Sequence, residues 1–218
     1  MANTNTTTTA RGTLYVISAP SGAGKTSLVK ALVESTDDIK VSVSHTTRAS
    51  RPGEKNGIHY NFVDLDTFRG MIERCTFLEH AQVFDNYYGT CGEWVSQQLD
   101  QGIDVILEID WQGAQQIRAM IPECISIFIL PPSREALEQR LQGRGQDNAE
   151  IITRRMRDAI NEISHFSEFD YLIINDNFNL ALDELRSIIV SLRLRQLPQQ
   201  QRYTQLLDNL LSQGQEIK

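Results

Sequence analysis

Positive charge is scarce in this sequence: Lys and Arg number 21 against 28 Asp and Glu, a net charge of −7 over 218 residues. The chain therefore lacks the basic face that a nucleic-acid backbone needs to displace its counterions, and no nucleic-acid partner is expected. Lysine is rarer still. Beyond Lys55 the only lysine is Lys218, and every other cation is arginine, whose planar fork takes phosphate or carboxylate bidentately. Cysteine is also sparse: Cys75, Cys91 and Cys124 form no C-x-x-C pair and are odd in number. That argues against a disulfide framework, fits reduced thiols in the cytoplasm, and leaves them to be read as small core residues. The four histidines, His45, His59, His80 and His165, have no metal-ligand spacing. No apolar run approaches the roughly 20 residues of a membrane-spanning helix, so no membrane partner is expected. The polar start, Met1 to Thr9, is not signal-like and reads as part of a disordered tail over residues 1–12. At 40% hydrophobic content the chain can bury one sizeable core with small inserted subdomains, and no internal repeat is visible.

What is present is Ala19-Pro20-Ser21-Gly22-Ala23-Gly24-Lys25-Thr26 between an apolar run (Leu14, Tyr15, Val16, Ile17) and a helical pattern (Leu28, Val29, Leu32, Val33). Strand, glycine-rich loop and helix in that order make a phosphate cradle. Gly22 and Gly24 let backbone N–H groups turn inward, Lys25 reaches the β- and γ-phosphates, and the Thr26 hydroxyl can hold Mg²⁺. The first glycine of G-x-x-x-x-G-K-[ST] is replaced by Ala19. Binding of a nucleoside triphosphate is the starting hypothesis.

Downstream, alternation predicts a second strand over Ile39–His45, a breaker-rich loop over Thr46–Gly57, and a strand over Ile58–Val63. A short helix (Leu65–Arg74), a strand-like piece from Thr76 to Phe84 ending in Asn86–Thr90, and a helix (Glu93–Gln101) follow. Two strands, Ile103–Asp110 and Ser126–Pro132, each precede a helix, Ala114–Ile121 and Arg134–Leu141. Gly143 to Phe166 opens flexibly and continues as an arginine-studded helix. Tyr171–Asp176 closes the sheet and Leu180–Leu194 packs on it. A last helix over Gln199–Gln213, joined through Leu197-Pro198, carries a stripe of Leu206, Leu207, Leu210 and Leu211 that reads as packing, either on the core or between subunits. Strands alternating with helices imply an α/β fold with a parallel sheet covered on both faces. Residues 40–90 read as a small β-rich insertion.

Arg48 and Arg51 flank a turn, with Tyr60 and Tyr88 on strands nearby; two guanidinium forks and two phenols make a phosphate clamp, the alternative being a solvated loop. Glu79 lies in the otherwise apolar Phe77-Leu78-Glu79-His80-Ala81, where a carboxylate needs a donor. Guanine offers two adjacent donors, N1–H and the 2-amino group, with Ser44 or Thr90 available to O6; an edge-strand ion pair is the competing reading. Glu108 and Asp110 sit at the carboxyl end of a buried strand, where they position Mg²⁺ through water or hold acceptor-site arginines. Arg140, Arg144, Arg154, Arg155 and Arg157 surround a Gly143-Arg144-Gly145 hinge. Such a segment can close over a transferring phosphate, with Arg154 and Arg157 read as a solvated face.

Taken together, the Ala19–Thr26 loop, Ser44-His45-Thr46-Thr47-Arg48-Ala49-Ser50-Arg51-Pro52-Gly53-Glu54, Tyr88-Gly89-Thr90 and Leu107-Glu108-Ile109-Asp110-Trp111-Gln112-Gly113 resemble guanylate kinase from about residue 13 to 195. The resemblance implies a P-loop NTPase-type core (13–43, 96–132 and 166–195), a GMP-binding region (44–95), a helical lid (133–165) and a C-terminal helical tail (196–218). It implies ATP and GMP as substrates, with dGMP as a further acceptor, Mg²⁺ at Thr26, and direct in-line phosphoryl transfer. Residues 19–27, Ser27 included, and Asn175 would bind ATP. Ser44, Arg48, Arg51, Glu54, Tyr60, Glu79, Tyr88, Thr90, Glu108 and Asp110 would bind GMP. Lys25, Arg48, Arg140, Arg144 and Arg155 would be catalytic. Glu108 stands where many relatives have Asp, and its partner is left open, as is a homo-oligomeric assembly. Two other readings stand beside this one: a catalytically inactive phosphopeptide-binding module of the same fold, and a small P-loop kinase acting on a phosphorylated sugar. Lys25 and Thr26 weigh against the first, and Ser44, Glu79 and Thr90 against the second.

Overall fold

The computed structural model describes residues 10–83, 85–143 and 149–212. Most of the expected N-terminal tail, and Arg144 among the expected catalytic residues, lie outside them. Strand β1 (Leu14–Ser18) is buried along its whole length and is followed by the glycine loop and α1 (Lys25–Glu34). The next elements are β2 (Ile39–Val41), β3 (His45–Thr46), β4 (Asn61–Phe62), α2 (Leu65–Glu73), β5 (Phe77–Val83), β6 (Asn86–Cys91) and α3 (Gly92–Asp100). Then come β7 (Asp104–Glu108), α4 (Trp111–Met120), β8 (Ile125–Leu130), α5 (Arg134–Gln142), α6 (Ala149–Ile163), β9 (Tyr171–Ile174), α7 (Phe178–Arg193), α8 (Gln196–Arg202) and α9 (Thr204–Ser212).

Five strands form one sheet in the order β2-β7-β1-β8-β9, every pair parallel. Its strands are short apolar runs because helices cover both faces. Side chains alternate along β1. Tyr15 and Ile17 meet Leu28, Leu32, Leu185 and Ile189 of α1 and α7 on one face, while Leu14 and Val16 meet Val95, Leu99, Ala114 and Ile117 of α3 and α4 on the other. The chain fills the β2 side of β1 before it crosses to β8, so the carboxyl ends around β1 open at the point where strand order reverses, the position that holds ligands in such sheets. A second, mixed sheet has the order β4-β3-β6-β5, with β3 parallel to β4 and antiparallel to β6, and β5 antiparallel to β6. A small cluster of Leu137, Leu141, Met156 and Ala159 joins α5 to α6.

The structure differs from the sequence reading at six places. The strand expected over 39–45 is divided between the sheets: β2 stops at Val41 and β3 begins at His45. Apolar alternation persists through the crossing, so it does not reveal where pairing partners change. The strand expected over 58–63 keeps only Asn61–Phe62, because a turn with Gly57 N–H on the Tyr60 carbonyl and His59 N–H on the Lys55 carbonyl occupies the rest. Asn86–Cys91 is a full strand rather than a strand ending. The single C-terminal helix is two, α8 and α9, with Pro198 inside the first turn of α8, where its missing N–H leaves no bond unmade. On α9 the leucines are not packed on the core: Leu206, Leu207, Leu210 and Leu211 are 53, 38, 62 and 75% exposed. Of the cysteines, only Cys124 is a core residue; Cys91 is half-buried and Cys75 exposed, all three being free thiols.

Candidate active site

The loop after β1 curls because Gly22 and Gly24 both adopt φ +93°, a torsion that L residues resist. Ala19 is not among the positive-φ residues, so a methyl group is tolerated where the motif usually has glycine. Gly24 caps α1, and a side chain there would come within 2.4 Å of the Asn175 amide nitrogen. That amide donates to the Ala23 carbonyl at 2.7 Å. Arg140 reinforces the same point, donating to the Asn175 carbonyl at 2.9 Å and the Ala23 carbonyl at 3.5 Å. Asn175 and Arg140 therefore hold the loop from behind. Its other side opens to a cleft of about 340 Å³, lined by Ala19, Pro20, Ser21, Gly22, Gly24, Lys25, Thr26 and Ser27. Lys25 Nζ reaches across it to the Ile109 carbonyl at 3.4 Å.

The second sheet brings Ser44, Arg51, Tyr60, Glu79 and Tyr88 to the same cleft. Arg48 is held beside it by Glu54, which accepts from one guanidinium nitrogen at 2.8 and 3.0 Å and from the Arg51 backbone N–H at 2.8 Å. The bond from Arg48 holds the Glu54 carboxyl below the ordinary carboxylate range. The Arg48 guanidinium lies over the rings of Tyr60 and Phe62, at 5.3 and 5.8 Å, and Tyr60 packs edge-on against Tyr88. One loop carboxylate thus organises both arginines.

Glu79 is 4% exposed and accepts from the buried Thr90 hydroxyl at 2.6 Å. Its bonded partner is that hydroxyl, not the guanidinium of the ion pair weighed from sequence. Space for it comes from Gly113: a Cβ there would sit 2.7 Å from Glu79 Oε2. Burial pushes the Glu79 carboxyl up to about 7, the Thr90 bond opposes the rise, and the charge of Asp110 adds to it. The folded state holds this proton more tightly than the unfolded chain, so stability is present at low pH and lost as pH climbs from about 4.5 to about 7. Ionised Glu79 then costs on the order of 3 kcal/mol. Thermal melts from pH 5 to 8 are expected to show Glu79→Gln gaining stability relative to the parent as pH rises; parallel curves would refute the assignment.

At the carboxyl end of β7, Glu108 Oε2 accepts from the Thr26 hydroxyl at 3.0 Å, which names the partner that sequence left open. Asp110 caps α4, accepting from Gly113 N–H at 2.8 Å, and burial raises its carboxyl above the ordinary value. Helix α6 brings two groups to one loop residue: Arg155 donates to the Ser21 hydroxyl and Glu162 Oε2 accepts from Ser21 N–H, both at 3.0 Å. Arg154 and Arg157 are exposed, as a solvated face requires. Glu162 was missed in the sequence. Its signal is an acid seven residues after Arg155, on the same face of an otherwise arginine-rich helix.

A family model described as guanylate kinase matches residues 11–192. The guanylate kinase of Saccharophagus degradans is 60% identical over 204 residues, 94% of this chain and all of that protein. That of Photobacterium profundum is 56% identical over 205 residues, 93% of this chain and 99% of that protein. The crystal structure of guanylate kinase from Anaplasma phagocytophilum superposes with a TM-score of 0.73 at 34% identity, covering 88% of this chain and 91% of that one. With the family model spanning most of its length and relatives this similar over nearly all of theirs, the chain belongs to the guanylate kinase family.

Proposed function

We propose that the protein catalyses ATP + GMP ⇌ ADP + GDP by direct in-line transfer of the γ-phosphoryl group. The observation that carries the reading is that a single cleft is lined both by a phosphate loop with its lysine and by a buried carboxylate, Glu79, bonded to a threonine hydroxyl. Among nucleobases guanine presents two adjacent donors to one carboxylate, so Glu79 accepts N1–H and the 2-amino group, with Thr90 fixing its orientation and Ser44 facing O6. Arg51, Tyr60 and Tyr88, with Arg48 steadied by Glu54, bind the GMP phosphate, and Asp110 borders that pocket. The loop amides and Lys25 hold the ATP phosphates, which places the donor on the first sheet and the acceptor on the second.

Transfer of this kind needs positioning and charge stabilisation rather than a covalent intermediate. Lys25 follows the charge that develops on the transferring group. Arg140 and Asn175 fix the Ala23 end of the loop, and Arg155 enters from α6. The Thr26 hydroxyl and Glu108 carboxylate are hard oxygen donors of the kind Mg²⁺ prefers. Thr26 would hold the ion directly and Glu108 would orient its water; when bound, it neutralises charge on the phosphates. The same reading divides the chain into a core, a GMP-binding region over 44–95 and a lid over 133–165. No helix among the described residues is long and apolar enough to cross a membrane, and a cytoplasmic setting suits the free thiols. The leucines exposed on α9 are the surface through which a homo-oligomer would form.

An ADP-release assay with GMP, dGMP, AMP, UMP and CMP as acceptors tests the reading. Turnover is expected with GMP and dGMP and to fall by at least about 10²-fold with AMP and the pyrimidine nucleotides, because a site built to pair buried polar groups rejects a base that leaves them unpaired. Equal rates with AMP, or no turnover with GMP, would overturn it.

A further inference from the structure

Ser21 is gripped at two of its polar groups by one helix: its hydroxyl by Arg155 and its N–H by the Glu162 carboxylate, each at 3.0 Å. The two side chains lie seven residues apart on the same face of α6. Glu162 lines the same cleft as Gly22, Gly24, Lys25 and Asp110. Burial raises its carboxyl above the ordinary value, with the charges of Asp110 and Asp158 adding to the rise and the Ser21 N–H and Lys25 opposing it. An anion thus sits on an amide of the loop, within the field of the loop's own lysine.

We propose that Glu162 is an internal competitor for the phosphate loop, a carboxylate that holds Ser21 N–H and is displaced when the phosphate chain of ATP takes the loop. The inference rests on the reading of the loop as the ATP site. An N–H offers one hydrogen, which a carboxylate oxygen and a phosphate oxygen cannot both accept in good geometry. Two anions in a partly dehydrated cleft also repel far more than in bulk water. Glu162 therefore weakens binding of both ATP and ADP, and its release leaves Arg155 as the remaining hold of α6 on Ser21. The residue is a positioning and affinity-setting group, not a catalytic one. Its advantage is in turnover: a loop that grips ADP less tightly lets product leave.

The test is calorimetry with ATP, ADP and GMP, each titrated separately into the parent, Glu162→Gln and Glu162→Ala. Glutamine keeps an acceptor for Ser21 N–H, removes the charge and turns the other oxygen into an amide donor. Both variants are expected to bind ATP and ADP roughly 10-fold more tightly than the parent, with GMP affinity unchanged. A brace that merely holds the loop in shape gives the opposite pattern: Glu162→Gln neutral and Glu162→Ala weaker for ATP. Either that pattern or unchanged ATP and ADP affinity in folded Glu162→Gln overturns the proposal. If the parent binds ATP and phosphorylates GMP while the variants fail to tighten, the Glu162 proposal alone falls. If the parent does neither, the loop assignment falls and takes this proposal with it.

Discussion

Lys25→Ala is expected to lower kcat by about 10³-fold or more while leaving the affinity for GMP within about twofold. The amine is the one lysine on the cleft, reaching to the Ile109 carbonyl between the glycine loop and the acids after β7. Among the described arginines, Arg140 is committed to the carbonyls of Ala23 and Asn175 behind the loop, Arg48 to Glu54 and Arg155 to the Ser21 hydroxyl, while Arg51 lines the far side of the cleft. A positioned donor that follows developing charge is worth about 10²–10³ in rate, and a cation at a transferring phosphoryl group up to about 10⁵. The GMP pocket is built mainly from the second sheet, with Asp110 at its border, and shares no backbone with α1, so its affinity should survive. Single-turnover kinetics with calorimetry for GMP makes the comparison. Loss of GMP binding in a folded variant would show that the two half-sites are not separable.

Glu79→Gln is expected to lower kcat/KM for GMP by roughly 10–100-fold with ATP affinity unchanged. Glutamine preserves shape but turns one accepting oxygen into a donor. The Thr90 hydroxyl already bonds one oxygen of Glu79 at 2.6 Å, which fixes the orientation of the group. The amide nitrogen must then face either N1–H or the 2-amino group, donor against donor. AMP has an acceptor at N1, so its disadvantage shrinks and the GMP/AMP ratio narrows. Measuring kcat/KM for both acceptors in both proteins decides the matter: an intact ratio would make Glu79 a structural carboxylate, buried for reasons unrelated to the base. The pH melts separate the two roles from another direction, since the cost of ionised, buried Glu79 exists without any nucleotide, whereas the change in base preference requires one.

Local chemistry was enough to locate the loop, β1 and α1, because Gly22, Gly24 and Lys25 act through torsion and reach within a few residues of one another. The parallel sheet was legible for the same reason: short apolar strands separated by helices leave few other arrangements. Sequence also marked Glu79 as anomalous, a charge in an apolar run, and its burial beside Thr90 follows from the pairing of β5 with β6. Other features depended on contacts far apart in the chain. Alternation through residues 39–45 carried no record of the change of sheet after Val41, because side-chain period is the same whichever partner a strand pairs with. The α9 leucines read as packing, since a stripe has the same spacing whether or not a neighbour covers it; in the structure they are exposed. Arg140 and Asn175 are 117 and 152 residues from the Ala23 carbonyl they bond, and Glu162 is 141 from Ser21. Sequence determined which groups this protein possesses. Only the folding of distant strands and helices around β1 decided which of them face the cleft, which brace the loop from behind, and which acid rests on its amide, because hydrogen bonds are set by distance and direction in space rather than by separation along the chain.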